Sequence, residues 1–262
     1  MNLDLSGKNA LVCGSTQGLG LASAIELALL GANVTLMARN EEKLKETLLK
    51  LDCTKKQHHQ YCVADFSNTN EVQRAIDEFI GKGNVVHILV NNTGGPAGGK
   101  AIDADSAAYL QAFNNHLINN HILTQAVVPG MKAAGFGRII NVISTSVKQP
   151  IAGLGVSNTI RAAVANWAKT LSLELGPFGI TVNNVLPGFT NTVRADYVLK
   201  KKAADQGKSE EEIMKELVAE IPVGRIGQPE EFGAAVAFLC SPAAAYINGI
   251  NLPVDGGRTG CL

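Results

Sequence analysis

A doubly wound α/β fold built on a parallel sheet is what this sequence predicts, and three observations predict it. Short apolar runs of four to six residues recur along the chain, separated by stretches of helical periodicity; that alternation belongs to parallel strands buried on both faces. The first run breaks into three glycines, Gly14, Gly18 and Gly20, and feeds directly into a helix pattern. The length of 262 residues, 46% hydrophobic, supplies a full core without division. One domain over residues 1–262 is therefore expected.

The elements follow in order. Leu11-Val12-Cys13 is the first strand, and Gly14-Ser15-Thr16-Gln17-Gly18-Leu19-Gly20 is the loop behind it. Gly14 permits the tight turn, Gly18 lets backbone approach a pyrophosphate, and Gly20 lets the helix pack close to the strand. An anion then sits on the helix N-terminus. Val34-Thr35-Leu36-Met37-Ala38 is a second strand ending at Arg39-Asn40, about twenty residues past the loop, where the ribose 2′ position of a dinucleotide lies. An acidic residue there would accept from a 2′-hydroxyl, whereas Arg39 suits a 2′-phosphate and so favours NADP over NAD.

Residues 61–66 form a third strand closing on an Asp65-Phe66-Ser67 turn, and residues 85–90 a fourth, ending in Asn91-Asn92-Thr93-Gly94-Gly95-Pro96. A helix is expected over residues 106–125, a fifth strand over 137–144, a helix over 159–174 and a sixth strand over 180–188. Residues 190–220 are polar and helical, with Glu210-Glu211-Glu212 and interspersed lysines, which reads as a mobile flap over a substrate rather than as core. The last strand lies at residues 250–254.

Charge excludes some partners. With 23 basic and 23 acidic residues the net charge is zero, so no overall field draws the chain to nucleic acid or an anionic membrane. No window reaches 18 uninterrupted apolar residues, and the first residues carry no basic-then-apolar leader pattern. Five scattered cysteines without a Cys-x-x-Cys pair suit a reducing compartment and a cytoplasmic location, and His58-His59 has no ligand partner at useful spacing, so no metal is expected.

The glycine loop, Asp65, Asn91-Asn92-Thr93-Gly94, the strand ending at Ser144, Pro187-Gly188 with Thr192, and the stretch from Arg225-Ile226-Gly227-Gln228-Pro229-Glu230-Glu231 to Val254-Asp255-Gly256-Gly257 together resemble the short-chain dehydrogenase/reductase family over essentially the whole chain. Within it the chain is most similar to the 3-oxoacyl-(acyl-carrier-protein) reductases. The resemblance implies a Rossmann fold and hydride transfer between a nicotinamide and a ketone or secondary alcohol. It implies a cofactor site of Gly14, Ser15, Thr16, Gln17, Gly18, Leu19, Gly20, Arg39, Asn40, Asp65, Phe66, Asn92, Thr93, Gly94, Arg161, Pro187, Gly188, Thr190 and Thr192.

The family's chemistry uses a Ser on the substrate oxygen, a Tyr as acid/base, a Lys four residues on that lowers the Tyr pKa, and an Asn that supports a water relay. Ser144 matches. The family's spacing from Ser144 reaches Ser157 in place of Tyr and Arg161 in place of Lys, and His116 stands where the family has Asn. A serine hydroxyl does not ionise near neutral pH, although it donates hydrogen bonds, and Arg161 supplies charge without relaying a proton. His116 is the one group of this constellation whose ordinary pKa is near 7, so it is either the replacement acid/base or a packed histidine at a helix contact. Tyr197 beside Lys200, Lys201 and Lys202 is an alternative donor or plain surface, and Tyr109 reads as packing.

Three functions remain open on the sequence. One is an NADP(H)-dependent oxidoreductase with an altered acid/base set, acting on a 3-oxoacyl-like or other ketone, small or carried on an acyl carrier. Another is a redox-inactive NADP-binding sensor or partner subunit. The third is a lyase or hydratase that retains the nucleotide. The resemblance also implies a homotetramer, with Ala162, Ala163, Ala165, Asn166, Ala168 and Lys169 offering a small-residue helix face.

Overall fold

The computed structural model describes residues 1–261. A single seven-stranded sheet forms its centre, with every strand parallel to its neighbours. The strands are β1 (Asn9–Cys13), β2 (Asn33–Ala38), β3 (Gln60–Val63), β4 (Ile88–Asn91), β5 (Gly137–Val142), β6 (Ile180–Pro187) and β7 (Asn251–Val254), in the spatial order β3-β2-β1-β4-β5-β6-β7. The order reverses between β1 and β4, and the crevice at the carboxyl ends of these two strands is the place such a sheet offers a ligand.

Both faces of the sheet are covered, and the strand sequences show why. Adjacent strand residues point to opposite layers, so Val12, Leu36, Val90 and Ile140 enter one core while their neighbours Leu11, Met37, Leu89 and Ile139 enter the other. Helices α1 (Gly18–Leu29), α2 (Glu41–Leu48) and α9 (Pro229–Cys240) close the first core with Leu27, Leu44, Phe232 and Val236. Helices α3 (Thr69–Gly81), α5 (Asn119–Ala134) and α6 (Gly155–Leu175) close the second with Ile76, Leu123, Met131 and Ala168.

Several bounds differ from the sequence expectation. Val85, Val86 and His87 precede β4 rather than forming its start, and Asp65-Phe66 lie beyond the end of β3. The helix expected over 106–125 is α4 (Ser106–Phe113), a π turn at Asn114–Ile118, and then α5, which continues to Gly135 in the left-handed region. The residues expected only to cover a substrate form α7 (Val193–Gln206) and α8 (Glu210–Ala219), which carry a small core of their own. Leu199, Ala203, Ile213 and Leu217 are buried there against Phe189 and Met214. None of the helices is long and apolar enough to cross a membrane among the described residues.

Candidate active site

The glycine loop sits at the carboxyl end of β1, as its sequence implies. Gly14 has φ +57°, and a Cβ there would meet the Asn92 carbonyl oxygen at 2.7 Å. A Cβ on Gly20 would collide with the Gly14 carbonyl, so strand end and helix start touch through backbone alone. Asn92, just past β4, locks the turn by donating its Nδ2 to the carbonyls of Cys13 and Gly14, at 3.2 Å each.

The start of α1 is bare. Helices α2, α3, α4, α7 and α8 each begin with a side chain that accepts a backbone N–H, and α2, α3, α7 and α8 add acidic residues in the first turn. Gln17 makes no such bond, and the first turn of α1 holds no acid. Its free N–H groups and positive dipole end therefore face the crevice beside Ser15, whose buried Oγ has no partner among the described residues. These features fit a pyrophosphate. Leu19 turns its side chain into the core, which leaves only its backbone to the loop.

Further along the crevice, Arg39 is exposed past the end of β2 and joins none of the ion pairs among the described residues. Asn40 caps α2 through Oδ1, accepting from Lys43 at 2.9 Å. Asp65 accepts from the Ser67 backbone at 2.9 Å; that bond, with Arg39 adding a smaller effect, holds its carboxyl below the usual range. The Phe66 carbonyl is pinned by Asn119 Nδ2 at 2.7 Å. Thr190 is buried behind Gly188, and Thr192 caps α7 by accepting from Ala195, with Gly18 packed beside its methyl group.

The expected catalytic side chains converge at the end of β5. Ser144 Oγ accepts from the Ser146 backbone at 3.1 Å, so its hydroxyl proton is free to donate. Arg161, on α6, is 8% exposed and donates Nη1 to the Val142 carbonyl at 2.9 Å, two residues before Ser144. Its Nε has no partner. Burial, and then the nearby Arg194, lower the guanidinium to about 10. Ser157 lies one helical turn before Arg161 and is half-buried.

The π turn rotates His116 inward, where its Nδ1 is 2.7 Å from Thr93 Oγ1. One extra residue in a turn re-aims the side chains that follow, a device common at functional sites. Of the two readings of His116, replacement acid/base or packed histidine, its surroundings favour the packed one. It is 2% exposed, and burial, then the charge of Arg161, lower its pKa to about 2. The ring stays neutral at working pH and acts as a hydrogen-bonding support for Thr93. Tyr109 packs with Ala112, Val156 and Ile160, as read from the sequence.

Arg194 escapes the sequence reading, in which Lys201 figures only as a neighbour of Tyr197. Arg194 donates Nη2 to the Pro96 carbonyl at 2.8 Å, and Lys201 lies 3.5 Å from the Gly98 carbonyl. Both reach from α7 to the loop of residues 94–100. The exposed Tyr197 ring lies 5.3 Å from the Arg194 guanidinium. The seven-residue spacing of 194 and 201 puts both on one helix face, which was the available signal.

Comparison with known proteins agrees with this geometry. A family model described as enoyl-(acyl carrier protein) reductase matches residues 14–259. The 3-oxoacyl-(acyl-carrier-protein) reductase of Pseudomonas aeruginosa is 33% identical over 259 residues, covering 97% of this chain and 98% of that one. L-Sorbose reductase from Gluconobacter frateurii, solved with NADPH and L-sorbose, superposes with TM-score 0.93 at 30% identity and full coverage of both chains. An actinorhodin polyketide ketoreductase solved with NADPH superposes with TM-score 0.89 at 32% identity over 97% of each chain. With the model match spanning the chain from the glycine loop to the residues behind β7, the protein belongs to the short-chain dehydrogenase/reductase family.

Proposed function

We infer that the chain is an NADP(H)-dependent ketoreductase in which Ser144 and Arg161 carry the work done elsewhere in the family by a Tyr and a Lys. The observation that carries this reading is the convergence of an anion-ready α1 N-terminus, an unpaired Arg39 and a Ser144 hydroxyl free to donate, all at the carboxyl edge of one sheet. The relatives whose structures hold NADPH add weight to it. Gly14, Gly18 and the α1 N-terminus would hold the pyrophosphate, and Arg39 the 2′-phosphate.

Bound NADPH supplies a hydride to a carbonyl carbon, which leaves negative charge on the carbonyl oxygen. Ser144 Oγ donates to that oxygen, and the buried Arg161 charge stabilises it in a site of low dielectric. The proton that completes the alcohol passes from the Ser144 hydroxyl, which regains one from solvent. The neutral His116 takes no proton in this scheme.

NADPH oxidation followed at the nicotinamide absorbance against a panel of ketones tests the proposal. Ser144→Ala should lower kcat by roughly 10² to 10⁴, the range for a positioned donor to developing oxyanion charge. Tight NADPH binding with no turnover across the panel would instead favour a sensor or partner subunit, a reading that the missing Tyr keeps in view.

A further inference from the structure

We propose that Arg194 is a further cofactor residue, a clamp that reaches from α7 onto the nicotinamide-side phosphate of NADP(H). The proposal rests on the NADP(H) reading of the site and adds to it a contact outside the family motifs. Thr192, which caps α7, lies against the glycine loop, since a Cβ built on Gly18 would stand 3.5 Å from its Cγ2. Two residues on, Arg194 points back over the crevice. A Cβ built on Gly95 would have as its only non-neighbouring contacts within 4 Å the Nη2 atoms of Arg161 and Arg194, each at 3.9 Å. Arg194 thus stands between the loop that receives the pyrophosphate and Arg161, whose Nη2 donors suit the hydroxyls of the nicotinamide ribose. In a dinucleotide the group that joins those two places is the nicotinamide-side phosphate.

Charge points the same way. The glycine loop, residues 14–20, holds no Lys or Arg, so the loop itself offers a diphosphate only backbone N–H groups and the end of α1. A helix end is equivalent to about half an elementary charge, whereas a diphosphate brings two negative charges. A full cation nearby is therefore needed to balance it. Neither Arg161 nor Arg194 joins an ion pair among the described residues, and Arg161, 8% exposed, keeps an unpartnered Nε. Two like charges facing one small space repel, and an anion entering that space relieves the cost.

The Arg194 head group is already placed for this. Its Nη2 donates to the Pro96 carbonyl at 2.8 Å, and a guanidinium carries five N–H donors, so the rest of the fork stays available to phosphate oxygens. The Tyr197 ring, 5.3 Å away, backs the same guanidinium. One side chain then holds both the 94–100 loop and the cofactor phosphate, and binding of the dinucleotide seats α7 over the crevice.

Calorimetric titration of the full chain with NADP⁺, 2′-phospho-ADP-ribose and adenosine 2′,5′-bisphosphate tests this. The first two ligands carry the nicotinamide-side phosphate and the third lacks it. Arg194→Gln should weaken the first two about tenfold or more, the scale of a charge-assisted hydrogen bond, and leave the third unchanged. Arg194→Lys, which keeps the charge, should recover part of the loss. Because Arg194 is exposed, the melting temperature without nucleotide should not move. Hydrogen exchange gives a second reading, in which NADP⁺ slows the α7 amides of the wild type more than those of Arg194→Gln. Unchanged NADP⁺ affinity in Arg194→Gln, equal weakening of all three ligands, or α7 exchange indifferent to NADP⁺ would each overturn the proposal. No ketone enters these measurements, so the two readings fail separately. Loss confined to the two diphosphates, with no NADPH oxidation by any ketone, keeps the clamp and removes the ketoreductase reading. Ketone reduction by a protein whose Arg194→Gln variant binds NADP⁺ as tightly as the wild type does the reverse.

Discussion

Arg39 and His116 show how far one side chain's surroundings govern its role. Arg39 stands in solvent just past β2 and joins no ion pair among the described residues. If it meets a 2′-phosphate, Arg39→Asp should weaken NADPH binding by about 1.5 to 3 kcal/mol, the scale of a charged hydrogen bond, and leave NADH nearly unaffected. Fluorescence titration of both nucleotides decides this, and equal losses would remove the assignment. His116 makes a different prediction. Its folded pKa, about 2, lies below the ordinary 6.5, so the unfolded chain binds the proton that the folded chain refuses. Stability is unaffected by this group above about pH 6.5 and falls as pH drops toward 2, by up to about 1.4 kcal/mol per pH unit. Urea unfolding between pH 4 and 8 should show that slope reduced by about one proton in His116→Gln.

At the level of elements, the strands next to the site are joined by side chains as well as backbone. Asn91, Asn141, Asn184 and Asn251 occupy paired positions on β4, β5, β6 and β7. Their amides form a continuous ladder, Asn91 to Asn141 at 2.9 Å, Asn141 to Asn184 at 3.0 Å and Asn184 to Asn251 at 2.8 Å. The Asn91 Oδ1 at the end is buried and unpartnered. Removing an interior rung orphans a donor on one side and an acceptor on the other, so Asn141→Leu should cost roughly 2 to 6 kcal/mol, two buried groups at the usual penalty. Asn91→Ala removes an orphaned oxygen together with its bond and should cost less. Chemical denaturation of the two variants gives the order, and equal losses would show that the ladder is not coupled.

For the whole molecule, some of the apolar residues left in solvent gather on neighbouring helices α4 and α6. Leu110 and Phe113 on α4 and Leu173 on α6 are exposed, beside Ala162, Asn166 and Lys169. Ala168, expected on this face, instead lies against the sheet at 1% exposure, so the contact face is narrower than its sequence spacing implied. We propose a homotetramer assembled through these helices. Light scattering at micromolar concentration should give four chains, and Leu173→Glu should shift the mass downward; a wild-type monomer would count against it.

Local chemistry and periodicity were enough for the sheet, its two cores and the glycine loop, because burial on both faces leaves strands as uninterrupted apolar runs and because Gly14 and Gly20 are demanded by backbone contacts between neighbouring elements. Ser144, Ser157 and Arg161 entered only through the family resemblance, whose spacing from the end of β5 picks them out; the structure brings Arg161 to the Val142 carbonyl beside Ser144. Local chemistry left His116 open between an acid/base and a packed histidine, because the ordinary pKa of an imidazole says nothing of the burial and the Arg161 charge that hold it neutral. It also missed Arg194, which lies 33 residues from Arg161 along the chain and meets it only because α7 folds back over the 94–100 loop. Which charges share one low-dielectric space depends on distances across elements, and those are set by packing of the whole chain rather than by any stretch of it.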